Sequence, residues 1–161
     1  MATPTNLPSA FTDNTTLPAA TLNNLRGAFR VLQFFSVQGN TSQTTTSTTY
    51  GDITSLSITI TPQATTNKIF LMSANNLLAS GNAADAGIRF VRDGTAIYTT
   101  IQAVMLTNSG SSVSTMYLDS PSSTSAITYK VQFNRASGIG TVYSNVNTSL
   151  YSSFLVAEIS A

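Results

Sequence analysis

From Phe29 to Ile159 the chain alternates apolar residues with small hydroxylated ones, almost without charge, and that period of two leaves little besides β-strands for it to form. The clearest case is Ile53 to Ile60. Leu56, Ile58 and Ile60 fall on one face, Ser57 and Thr59 on the other, and Thr61-Pro62 closes the run, which predicts a half-buried strand. Lys68-Ile69-Phe70-Leu71-Met72 is short and almost wholly apolar, which predicts a strand central in a sheet and buried on both faces. Ile88 to Arg92 and Ala96 to Tyr98 flank Asp93-Gly94, a pair that tolerates the positive φ of a type I′ turn, so a hairpin is expected there. Further strands are expected at Phe29 to Val37, Ile101 to Leu106, Val113 to Leu118, Ile127 to Phe133, Thr141 to Tyr143 and Tyr151 to Ile159. The Thr and Ser tract from Thr41 to Thr49 reads as a long loop or a polar edge strand.

Eight to ten short strands without interleaved helical patterns indicate an all-β sandwich or barrel. A jelly-roll-like β-sandwich fits best, because it places eight strands in ~130 residues and manages its sheet edges by packing two sheets. Nothing in the chain points to an immunoglobulin sandwich instead. The expected division is an N-terminal arm over 1–28 and a jelly-roll β-domain over 29–161. In the arm, Pro4 and Pro8 favour an extended path, with Leu7 and Phe11 as the large apolar groups. Thr16 is an N-cap candidate, Pro18 sits near the first helical position, and Leu22, Leu25 and Phe29 are spaced three and four apart. A short helix near 18–26, ending at Gly27, follows from that pattern. Its leucines suit either a strap over the domain's own base or docking to another molecule.

Charge is sparse, at 8% of residues against a typical ~25%, and the net charge is +1. A monomer so weakly charged is poorly protected against association, so much of the surface is expected to meet other subunits. The seven basic residues form no cluster, which argues against nucleic acid as a partner. No apolar run approaches the ~20 residues of a membrane helix, and no secretory leader is visible, so the chain is expected to fold where it is made, with no membrane partner.

The absence of Cys and His removes thiol nucleophiles, imidazole bases and the usual zinc ligands, so no catalytic, metal or cofactor site is expected. Six carboxylates remain: Asp13, Asp52, Asp85, Asp93, Asp119 and Glu158. Asp93 belongs to its turn, and Asp52, Asp85 and Asp119 sit at loop or strand ends, where Asp satisfies local backbone donors. A glycosidase would need two of them facing each other across a sugar. Gly138-Ile139-Gly140 lacks the further glycines and strand-to-helix setting of a phosphate loop and reads as a turn. The six tyrosines read as core or subunit contacts more than as glycan-stacking faces.

Leu118-Asp119-Ser120-Pro121, Thr128-Tyr129-Lys130-Val131-Gln132-Phe133 and Thr141-Val142-Tyr143 resemble a family of small jelly-roll structural proteins of tailed bacteriophage virions. The resemblance extends to Gly51 through Pro62, Lys68-Ile69, Arg92 through Ile97 and Leu25 through Gln33, so it covers most of the chain from Leu25. It implies a virion component, commonly a homotrimer with a jelly-roll head, assembled in the host cytoplasm and sited on the capsid as a decoration or cement protein or in a fibre. On the capsid reading, the arm attaches to the major capsid protein, and Leu7, Phe11, Leu17, Leu22 and Leu25 are the anchoring candidates. On the alternative, a tail-fibre or head-fibre tip that binds a host receptor, the loops Asn75 to Asp85 and Asn108 to Ser112 would read the receptor.

Overall fold

A computed structural model describes residues 30–80, 84–105, 109–145 and 149–160. The expected arm, with its short helix, lies outside the described residues. Ten strands follow in order: β1 (Val31–Gly39), β2 (Gln43–Thr45), β3 (Gly51–Ile60), β4 (Lys68–Ser80), β5 (Ala84–Arg92), β6 (Thr95–Met105), β7 (Ser109–Asp119), β8 (Ile127–Gly138), β9 (Thr141–Ser144) and β10 (Ser152–Ile159). The segment expected as a separate strand at Ile101 is the continuation of β6, and several strands are longer than expected, β4 reaching 13 residues.

The strands form two antiparallel sheets. In the six-stranded sheet, β7 runs along one edge of β4 from Ile69↔Asp119 to Ala79↔Ser109. On the other edge, β10 pairs with Lys68 to Ala74 and β9 with Leu77 to Ser80, while β1 continues beyond β10 and β2 beyond β9. The four-stranded sheet runs β3-β8-β5-β6. With the short β2 and β9 set aside, the remaining strands pair first with last (β1 with β10), then β3 with β8, β4 with β7 and β5 with β6. That is one long antiparallel hairpin folded over on itself, the jelly-roll order expected from the strand pattern.

The pleat sends alternate side chains to opposite faces. On β4, Ile69, Leu71, Leu77 and Ala79 turn inward and are buried, whereas Phe70 is half-buried and Met72 is exposed. The run Lys68 to Met72 is therefore central in its sheet, but the expectation of burial on both faces is wrong, because the second sheet covers only the inner face. Inside the sandwich, Phe90 of β5 stacks on Phe154 of β10 with centroids 5.7 Å apart, and at its rim the more exposed Tyr98 of β6 stacks on Tyr117 of β7 at 5.0 Å. Both pairs join one sheet to the other.

Three local departures from regular pairing have a polar clamp. Asp93 (φ 46°) and Gly94 (φ 86°) make the expected tight turn, and the Asp93 carboxylate accepts from the Thr128 amide at 2.8 Å, tying the turn to β8. Between Asp52 and Ser57, five steps along β3 oppose two along β8, a bulge with Ser55 at φ 73°. Gln43 of β2 holds it, accepting from the Thr54 amide at 2.6 Å and donating to the Asp52 carbonyl at 3.3 Å. The Thr and Ser tract thus supplies a short polar edge strand. Where β10 leaves β4 and β9 takes over, Asn145 and Ser152 fill the gap. The Asn145 amide donates to the Asn76 carbonyl, its side chain donates to the Gly39 carbonyl, and the Ser152 hydroxyl donates to the Asn145 side chain at 2.7 Å.

Glu158 is fully buried on the inner face of β10 and accepts from the Gln33 and Asn67 side chains, each at 2.6 Å, and from the Gln63 amide at 2.7 Å. It pins the β3–β4 connection to the base of the six-stranded sheet. At the same end, the Arg30 amide donates to the Ser160 hydroxyl and the Ser160 amide to the Arg30 carbonyl, so both ends of the strand domain meet. Because the Phe90–Phe154 stack bridges the sheets, Phe154→Ala should lower unfolding free energy by about 3–5 kcal/mol, measured by equilibrium urea denaturation.

Candidate docking face

The two outer faces of the sandwich differ in chemistry. On the four-stranded sheet, Thr59 and Thr128 share a hydroxyl hydrogen bond at 2.8 Å, and Lys130 pairs with Asp52 at 2.8 Å. Gln132 also donates to Asp52, Arg89 donates to Gln132 at 2.7 Å, and the Arg89 guanidinium lies 4.2 Å from the centre of the Tyr50 ring. Polar groups there satisfy one another across strands.

On the six-stranded sheet, the register places Leu118, Phe70, Ala157 and Phe34 in one row and Met116, Met72, Leu155 and Ser36 in the next. Lys68, Ile159 and Val31 form a third row at the end where the chain enters β1. Beyond the second row, Ser114, Ala74, Ser153 and Gln38 take over and the face turns polar. Phe34 and Met116 are each 60% exposed, Leu118 52% and Met72 37%. Each would contribute about 1.5–3 kcal/mol if fully covered from a fully exposed start, before ordering costs, so about half that from their present state. An apolar cluster of this kind on an outer sheet face is what an interaction site requires.

None of the anchoring candidates Leu7, Phe11, Leu17, Leu22 and Leu25 can be compared with this face, because all lie outside the described residues. The face itself escaped the sequence reading. Its signal was the placing of apolar residues on both parities of neighbouring strands, Phe34 beside Phe35 and Met116 and Leu118 around Tyr117, which breaks the alternation of a half-solvated strand. The supposed receptor-reading loops are largely strand: Asn75–Ser80 lies in β4, Ala84 and Asp85 in β5, and Ser109–Ser112 in β7. Hydrogen bonding along β4 and β7 explains the difference.

The carboxylates do more than cap local backbone. Asp119, at the end of β7, takes the Arg92 guanidinium at 2.9 Å and the Tyr129 hydroxyl at 2.7 Å, and Asp85 takes the Ser137 hydroxyl. Burial, then the hydrogen bond to Asp119, holds the Tyr129 phenol well above its ordinary range. Of the tyrosines, Tyr129 is core, Tyr98 and Tyr117 bridge the sheets, and Tyr50 meets Arg89. Gly138-Ile139-Gly140 is the expected turn, with both glycines at positive φ. Among the described residues, no three Asp or Glu come together as a cation site.

Two outcomes follow. Phe34→Ser combined with Met116→Ser should change folding stability by less than about 1 kcal/mol, both side chains being mostly exposed, while lowering binding of an apolar fluorescent dye several-fold. Burial pushes Asp52 up, but hydrogen bonds from Lys130 and Gln132 and the charges of Lys130 and Arg89 outweigh it, so its carboxyl titrates below the ordinary value. A carboxyl lowered on folding stabilises above its unfolded value and loses that contribution as pH falls through the folded one. Between about pH 6 and pH 3, wild type should therefore lose more stability than Asp52→Asn, by about 0.2–1 kcal/mol since both partners of the pair are exposed, as read from urea midpoints.

No protein-family model matches this chain, and no curated protein matches it. Solved structures similar to it include the T13 IBDV viral particle, at 14% identity and TM-score 0.46 over 80% of this chain and 35% of that one. The Gx strain of infectious bursal disease virus is matched at 15% identity and TM-score 0.42, over 80% of this chain and 38% of that one. The VP2 subviral particle of infectious bursal disease virus is matched at 15% identity and TM-score 0.41, over 83% and 38%. The chain thus spans little more than a third of the length of the proteins it matches, and the likeness is one of fold.

Proposed function

We propose that this chain is a non-enzymatic structural protein of a virus particle, a homotrimeric capsid decoration or cement protein that attaches to the major capsid protein through its N-terminal arm and stabilises the shell. The observation that carries the reading is the sidedness of the sandwich: one outer face is polar and self-satisfied, the other carries exposed Phe34, Met72, Met116 and Leu118. A domain of that design, with 8% charged residues, suits a place among other subunits better than life as a free monomer. The residues that resemble tailed-bacteriophage virion proteins add the setting.

The mechanism is adhesive. Three linked arms raise one another's effective concentration, so a trimer can hold a capsid ~100-fold or more tightly than one arm does. Leu7 and Phe11 in the distal arm, with Leu17, Leu22 and Leu25 nearer the domain, supply the apolar contacts. Deleting Met1–Asn14 should leave the thermal midpoint within about 2 °C and cut rebinding to capsids stripped of the protein by about tenfold or more. Undiminished coating overturns the anchoring role. In intact particles, copies spread over the capsid in multiples of three are expected; copies confined to a fibre tip would favour the receptor-binding alternative.

A further inference from the structure

We propose that Ile139, at the tip of the β8–β9 turn of one copy, inserts into a recess on the outer face of the next copy's six-stranded sheet, and that this head-to-tail contact closes the homotrimer. The contact deepens the homotrimeric reading, on which it rests.

The recess owes its room to a missing side chain. In the β4–β7 pairing, Gly110 lies opposite Leu78 and Ser112 opposite Asn76. Asn76 and Leu78 have the outward parity, since Asn75, Leu77 and Ala79 turn inward and are buried. The Asn76 side chain donates to the Tyr151 carbonyl and its amide to the Ser152 hydroxyl at 3.1 Å, which holds Leu150 and Tyr151 beside β4. Between these elements, Asn76, Leu78, Gly110, Ser112 and Leu150 border a recess of about 320 Å³. A Cβ at Gly110 would meet the Leu77 carbonyl oxygen at 3.7 Å and Leu78 Cδ1 at 4.0 Å, both ordinary contact, so the space over the glycine is open. No charged side chain lines it, which suits an apolar group rather than an ion.

Ile139 is the matching group. It is 74% exposed, more than Phe34 or Met116, so it does not fill the recess of its own copy. Gly138 (φ 78°) and Gly140 (φ 138°) flank it, and Arg135 Nη1 donates to the Gly140 carbonyl at 3.1 Å. The braced turn thus presents one branched apolar side chain with no side chain on either neighbour, where turn tips ordinarily carry polar residues or Gly. The recess volume lies at the low end of the ~300–1,000 Å³ of ligand pockets, room for one such side chain and its glycine backbone.

Position fixes the kind of contact. Thr141 pairs with Ser80 and Gly138 with Ala84, so the tip stands beyond the strand ends, whereas the recess opens on the side wall two to four residues, about 7–13 Å, back from Ser80. Two different surfaces meet, so the contact is heterologous and repeats from copy to copy until a ring closes. Met72 is six residues, about 20 Å, further along β4 from Leu78, so the apolar rows around Phe34, Met72, Met116 and Leu118 stay outside this contact.

The absence of native cysteine makes the test clean. The full chain with Ile139→Cys and Ser112→Cys should oxidise to disulfides between chains about tenfold faster or more than one with Ile139→Cys and Thr59→Cys, whose second thiol lies on the opposite outer face. Equal rates for the two pairs, or disulfides within single chains, overturn the proposal. In sedimentation, Ile139→Asp and Gly110→Val, the latter filling the recess, should each weaken the trimer about tenfold or more, with the far-ultraviolet circular dichroism unchanged. A trimer undiminished in both variants overturns this contact and leaves the homotrimeric reading standing; a wild type that sediments as a monomer overturns both. Capsid rebinding by the Met1–Asn14 deletion is read separately, so the anchoring role fails or stands independently.

Discussion

The architecture rests on one strand with two fully used edges. β4 gives one edge to β7 along eleven paired positions and divides the other between β10 and β9. Antiparallel pairing demands that every buried backbone donor and acceptor find a partner. Where two partners share an edge, the seam between them would leave orphans. Asn145 and Ser152 close that seam with side-chain and main-chain hydrogen bonds, which is why small polar residues occupy fully buried sites there. The interior of this end of the sandwich is polar by necessity, while the aromatic stacks hold the sheets together elsewhere.

The contrast between the outer faces follows from the same layout. The four-stranded sheet carries on its exposed surface the Thr59–Thr128 hydroxyl pair and a polar chain from Lys130 through Asp52 and Gln132 to Arg89. The six-stranded sheet leaves large apolar groups uncovered at the end where β1 begins and turns polar at the other. A surface polarised along the strands as well as between the sheets gives the domain a defined inside, outside and base. Glu158 and its three donors stiffen that base, fixing the β3–β4 connection beneath the face.

Strand identity was readable where one face meets water. Leu56, Ile58 and Ile60 announced β3, and Asp93-Gly94 announced the β5–β6 turn, because a period of two and a positive-φ pair are local signals. The jelly-roll order was legible only as a class, since pairings such as Phe34 with Ala157 join residues far apart in the chain. The apolar outer face was not legible. Phe70 and Met72 look like core in one dimension, and only the packing of the second sheet against Ile69 and Leu71 decides which parity is covered. The lengths of β4 and β7 were underestimated for a related reason: Asn75, Asn76 and Ser109 to Ser112 are poor strand formers that tertiary pairing holds in place.

The meeting of Arg30 with Ser160 has a mechanical consequence. β1 and β10 are antiparallel, and Arg30 and Ser160 at their outer ends lie side by side, joined by a backbone hydrogen bond. Tension applied through Arg30 and Ser160 loads that ladder at its last rung and opens it one bond at a time. Force entering through other points, such as the β5–β6 turn, is instead shared along many rungs in shear. The domain is therefore weak to being unzipped at its base and stiff to being pushed or dragged from its far surface.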